Sequence, residues 1–185
     1  MLKGNKLQFF SCCLIASTLL LFGFKGNKIS DRLQEKINSA IRGTYEVEEF
    51  SLDLMEVPSD LNAQTPSELE AENLFEITSA GKKLGYVYVG VAPSLKKTFD
   101  YVVLLAPNLS VKKSKILIYR EDHGRQVGSQ RWLKQFIGRK SGETLVYGED
   151  IDGISGATVS AKSMTLAVSN VLESIQILKD NNLFN

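Results

Sequence analysis

The chain has 185 residues, 43% hydrophobic and 23% charged, with 14 Gly and 4 Pro. This composition suits one compact domain with a short appendage and excludes collagen-like, low-complexity and wholly disordered classes. A formal charge of +1 argues against a general polyanion binder. One histidine, His123, and two cysteines, Cys12 and Cys13, leave too few soft ligands for a structural zinc or an iron–sulfur cluster.

Residues 1–28 differ from the rest. Lys3 and Lys6 precede an uncharged, mostly apolar run from Leu7 to Phe24, closed by Lys25. Eighteen helical residues at about 1.5 Å each make roughly 27 Å, enough to cross a hydrocarbon core. The segment reads as a membrane anchor or a signal segment. Phe-Phe-Ser before Cys12 is not a lipobox, and no clean small-x-small site follows, so an uncleaved anchor is expected. The domain would then stand on the periplasmic side of the cell inner membrane. Both cysteines lie inside the run, so the remaining chain of about 157 residues has no disulfide or metal thiolate. At that size it can build a core without staples.

Residues 29–72 read as a helical linker and an acidic segment. Ile29, Leu33, Ile37, Ala40 and Ile41 share one helical face, Ser30 suits the N-cap, and Gly43 suits the stop. Residues 44–81 hold ten acids and no Lys or Arg, whereas residues 82–140 hold thirteen Lys or Arg against Asp100, Glu121 and Asp122. These stretches read as solvated faces that offset each other, with a docking surface for a charged redox partner as the sharper alternative. Nucleic acid is not expected as a partner of an exported domain. The pairs Lys82-Lys83, Lys96-Lys97 and Lys112-Lys113 fall at apparent turns, where they would blunt sheet edges.

Residues 73–185 read as the main domain. Residues 74–92 suggest two strands around a Gly-containing turn, with Tyr86, Tyr88 and Gly90 alternating against Val87, Val89 and Val91. Residues 99–107 and 114–122 add two more strands. The spacing predicts a short helix over 129–138, stopping at Gly138, and a long one from about Ser160 to Lys179. On the latter, Met164, Ala167, Val168, Val171, Ile175 and Leu178 form the core stripe. The expected class is α+β, an antiparallel sheet or half-barrel with flanking helices, preceded by one N-terminal membrane helix.

Before the last helix stands Asp152-Gly153-Ile154-Ser155-Gly156-Ala157-Thr158-Val159-Ser160. Small residues here let backbone approach a ligand, and the unpaired N–H groups of a first helical turn suit an anion such as phosphate. Thr158 falls at or near the N-cap. The plainer reading is a well-capped helix, since Ser and Thr favour that position anyway. No Ser–His–Asp set, paired catalytic acid, P-loop or GxGxxG stands in a credible context, which disfavours a hydrolase or a nucleotide-dependent enzyme.

The D-x-x-S-G-A-T pattern followed by a helix resembles the motif of the FMN-binding domain family. Members of that family include the C subunit of sodium-pumping NADH:quinone reductase and the G subunit of Rnf-type complexes. A second stretch, residues 119–140, resembles the family's acid, Gly-containing turn and Trp and Phe on a short helix. Glu121, Gly124, Gly128, Trp132 and Phe136 correspond in order. Asp122-His123-Gly124-Arg125 replaces the more apolar, Pro-containing turn of the better-known subunits. The likeness covers roughly Leu74 to Ile175.

The resemblance implies an electron-relaying flavoprotein with FMN joined to Thr158 through a phosphoester, installed by a flavin transferase that uses FAD. It implies roles for Asp152, Ser155, Gly156 and Ala157 toward the transferase or the flavin, and places Glu121, Gly124 and Trp132 near the cofactor. Core packing is an equal reading for Trp132 and Phe136, and His123 reads as a polar turn residue. Membrane redox proteins are the implied partners. The alternative is a cofactor-free anchored binding or assembly module of the same fold.

Overall fold

The computed structural model describes residues 30–184. The expected membrane segment lies outside the described residues, among which no helix is long and apolar enough to cross a membrane.

The first helix, α1, spans Asp31–Tyr45. Ser30 caps it as the sequence suggests, its hydroxyl accepting from the Leu33 N–H at 3.4 Å. The helix does not stop at Gly43. It runs on to Tyr45 and closes at Glu46 in the left-handed region, whose N–H bonds the Arg42 carbonyl. Tertiary contact decides this, because the Tyr45 hydroxyl donates to the Leu105 carbonyl at 2.8 Å and so anchors the last turn. Gly43 itself packs against nothing, and an exposed helical glycine costs only about 1 kcal/mol.

Five antiparallel strands follow as an open meander in the order β1 to β5: Ser51–Leu54, Leu74–Ser79, Lys82–Pro93, Thr98–Leu105 and Val111–Tyr119. A four-residue helix, α2 (Ser59–Asn62), joins β1 to β2. Four of the strands were legible in the sequence. β1 was not, and it lies in the segment read as acidic linker, where it pairs in register from Ser51↔Thr78 to Leu54↔Phe75. Lys112-Lys113 lies within β5 rather than at a turn, whereas Lys96-Lys97 does sit in the β3–β4 connection.

Period-two alternation sends the central strands into two cores. Tyr86, Tyr88, Phe99, Tyr101, Val103 and Leu105 face one side. Val87, Val102, Leu104 and Leu117 face the other, against Ile37, Ala40 and Ile41 of α1. The helix expected over 129–138 is broken into a 3-10 turn at Arg125–Gly128, α3 at Gln130–Leu133 and a second 3-10 turn at Lys134–Phe136. It ends there because the chain turns back to the sheet. Gly138 donates to the Val111 carbonyl and Val111 to the Arg139 carbonyl, each at 2.8 Å.

The last helix, α4, spans Thr158–Asp180, two residues earlier than expected. Met164, Val168, Val171, Ile175 and Leu178 are buried as the stripe suggests, with Ala167 only half-buried. Small polar residues join them. Ser169 and Ser174 accept from the N–H groups of Leu145 and Ser67 at 2.9 and 3.0 Å, tying two irregular segments to the helix.

Candidate functional site

The segment from Asp152 to Ala157 is held through its backbone. Trp132 donates its indole N–H to the Asp152 carbonyl at 2.8 Å, and the Asp152 N–H donates to the Gln135 side-chain oxygen at 2.8 Å. Gln126 donates its amide to the Ser155 carbonyl at 2.7 Å. Two glycines are required here. Gly156 has φ +74°, and a Cβ on it would stand 2.5 Å from the Gln126 amide nitrogen. Gly124 has φ +82°, and its Cβ would stand 2.7 Å from the Tyr119 hydroxyl and 3.2 Å from the Gly156 carbonyl. The 123–125 turn and the motif therefore touch backbone to backbone.

Ala157, not Thr158, is the N-cap of α4, and no side chain caps this end. An alanine cap leaves the first-turn donors open: the N–H groups of Thr158, Val159 and Ser160 have no acceptor among the described residues. Thr158 is the first helical residue and is exposed. Beneath it, the buried Ser160 hydroxyl meets the Ser94 hydroxyl at 2.6 Å and the Tyr119 hydroxyl at 2.8 Å. Beside it, one oxygen of Glu121 accepts from the N–H groups of Lys96 and Lys97 at 2.6 and 2.8 Å. Those two donors, Lys96 first, hold the Glu121 carboxyl below its ordinary pKa.

These links bring the β3–β4 turn, the end of β5 and the start of α4 around a cavity of about 300 Å³. That volume lies at the small end of ligand sites, about 300–1,000 Å³. Of the residues singled out in the sequence, Glu121, Gly124, Gly156, Ala157 and Thr158 line it, with His123 also on the wall. Asp152, Ser155 and Trp132 do not. Asp152 and Ser155 are exposed on the loop outside, and Trp132 is buried edge-on to Phe136, with ring centroids 5.5 Å apart. Sequence reasoning missed Ser94, Leu95, Tyr119 and Ser160. Leu95 and Val159 present apolar side chains at the cavity while 70% and 45% exposed. A larger hollow of about 630 Å³, between α4, the end of β3 and residues 66–73, contains none of the expected site residues. Among the described residues no group of three or more His, Cys, Asp or Glu could hold a metal ion.

This arrangement fits a phosphorylated, partly apolar ligand. Two glycines hold left-handed backbone beside it, an uncapped helix end offers free donors, and an exposed residue with a hydroxyl stands at its first position. Residues 95–173 match the family model of the FMN-binding domain. The crystal structure of NqrC from Shewanella oneidensis is similar, with a TM-score of 0.59 and 16% sequence identity over 83% of this chain and 98% of that one. The likeness is one of fold. No curated protein matches the chain.

Proposed function

We propose that the protein is a membrane-anchored flavoprotein on the periplasmic side of the cell inner membrane, relaying electrons through FMN joined to Thr158 by a phosphoester. The placement of Thr158 carries this reading: its hydroxyl is exposed at the mouth of the cavity and is not spent on capping the helix. The free N–H groups of Thr158, Val159 and Ser160 suit the remaining phosphate charge, an attraction of about 0.3–1 kcal/mol at an exposed helix end. Leu95, Tyr119 and Val159 supply the apolar and aromatic surface that a flavin ring needs nearby. FMN supplies the electron transfer itself, and the protein supplies position and electrostatics. A covalent link makes retention independent of affinity, which matters for a shallow site. The exposure of Asp152 and Ser155 on the loop, outside the cavity lining, supports a role in recognition by a flavin transferase over contact with the ring. Redox proteins of the membrane would be the electron partners.

Intact-mass spectrometry of the denatured full chain, exported and co-expressed with a flavin transferase, tests the proposal. A gain of one FMN less one water, mapped to Thr158 and absent from Thr158→Ala, is expected. An unmodified mass, with the transferase active on a control substrate, would return the protein to the cofactor-free binding module.

A further inference from the structure

A second polar cavity, of about 470 Å³, lies between α1 and β5 on the sheet face opposite α4. Arg32, Lys36 and Lys115 line it, with Glu35 and Ser39. Four ion pairs occur among the described residues, and none includes any of these three cations or Glu35. The Lys115 amine is pushed below its ordinary pKa first by burial and then by the charges of Lys113 and Lys36. Glu35 lines the same cavity without pairing with any of the three. Cations with a purely structural task would be expected to sit against some of the ten acids of residues 44–81. These three instead converge with a serine hydroxyl on an open cavity, a donor set suited to a phosphate oxygen.

Chain geometry says where such a phosphate would come from. The apolar run ends at Phe24, and only residues 25–30 separate it from α1. Six residues reach at most about 20 Å when extended. Their sequence includes Lys25 and Lys28. If the run is the anchor, Arg32 and Lys36 in the first turns of α1 are held close to the bilayer surface.

We infer that the α1–β5 cavity binds the phosphodiester headgroup of an anionic phospholipid. This inference rests on the anchored reading for the source of the phosphate. Binding there holds the domain by its α1 side, opposite the sheet face that carries α4 and Thr158. The FMN site is then kept off the membrane and open to a protein partner.

The test uses the full chain in nanodiscs of phosphatidylcholine alone or of phosphatidylcholine with phosphatidylglycerol. Lysines are acetylated with a water-soluble reagent and their rates read by peptide mass spectrometry. Phosphatidylglycerol should slow Lys36 and Lys115 about fivefold while leaving Lys83 and Lys179 unchanged. Equal rates in the two lipids overturn the inference. So does equal protection by inorganic phosphate in a neutral detergent, which would make this a site for a free anion. Lys115→Gln should return Lys36 to its phosphatidylcholine rate, and Lys36 still protected in that variant would show that the cavity is not the site. Flotation with phosphatidylcholine vesicles after an alkaline wash reads the anchor by itself. A chain that floats there without headgroup protection sinks this inference and leaves the anchor standing. A chain that does not float, yet is recruited from solution to phosphatidylglycerol vesicles, sinks the anchor and leaves the headgroup site standing.

Discussion

The indole N–H of Trp132 donates to the backbone carbonyl of Asp152 at 2.8 Å, joining a short helical segment to the first residue of the candidate FMN motif. Trp132 is thus a positioning residue, with its ring in the core against Phe136 and its nitrogen on the loop. Trp132→Phe keeps an aromatic ring and removes the donor. Urea denaturation should show a loss greater than the value of one such bond, about 1 kcal/mol, because the smaller ring also leaves a void beside Phe136. The proposed incorporation of FMN at Thr158 should slow in the same variant, and an unchanged rate would show that the bond supports the fold without setting the loop.

Gly156 is the second restraint on that loop. Gly156→Ala meets two costs: a side chain at φ +74°, about 1–2 kcal/mol, and the Gln126 amide nitrogen at 2.5 Å. The variant should be less stable and poorly flavinylated. Adding Gln126→Ala removes the clash and leaves the backbone penalty, so the double variant should recover part of the stability. Full recovery would show that backbone conformation was not limiting.

Glu121 ties the β3–β4 turn to the end of β5 through the N–H groups of Lys96 and Lys97. Those donors hold its folded pKa below the ordinary 4.5, so its contribution is present above that value and is lost as pH falls through the lower folded one. Glu121→Gln retains the accepting oxygen and loses the charge. Its urea midpoint, followed from about pH 6 to pH 3, should fall less steeply with acid than that of the unaltered protein. Parallel curves would assign the acid limb to other carboxylates.

The parts of the fold legible in the sequence are those with a strong local period. β3 alternates Tyr86 and Tyr88 with Val87 and Val89, and α4 repeats its apolar residues at helical spacing, so both stand out. β1 has no such signal: of Ser51–Leu54 only Leu52 is even half-buried, and pairing with β2 alone makes it a strand. The end of α1 was misplaced because Tyr45 reaches Leu105, sixty residues away, and that contact overrides Gly43. The motif residues of the site could be picked out because they are contiguous. Ser94 and Tyr119 could not, nor could the part Ser160 plays at the end of the motif, since the three hydroxyls meet only once the sheet and α4 have docked.

That meeting of hydroxyls supports the last prediction. Ser160 is 3% exposed, and its oxygen lies between those of Ser94 and Tyr119 at 2.6 and 2.8 Å. A hydroxyl has one proton to donate, so at least one neighbour must donate to Ser160 if both contacts are made. Ser160→Ala strips a partner from two groups at once, and the expected loss of stability is about 1–2 kcal/mol, above the value of a single bond. Tyr119→Phe removes one of the same contacts. The double variant should therefore lose less than the sum of the two single losses, with a coupling of about 1 kcal/mol. Thr158 stands two residues before Ser160, so this pair also sets how the start of α4 meets the cavity wall. If Thr158 is the acceptor, as proposed, flavinylation of Ser160→Ala should be slower than that of the unaltered chain yet reach the same final mass. Strict additivity in the stability cycle would mean that the contacts act independently and that β5 docks on α4 by apolar packing alone.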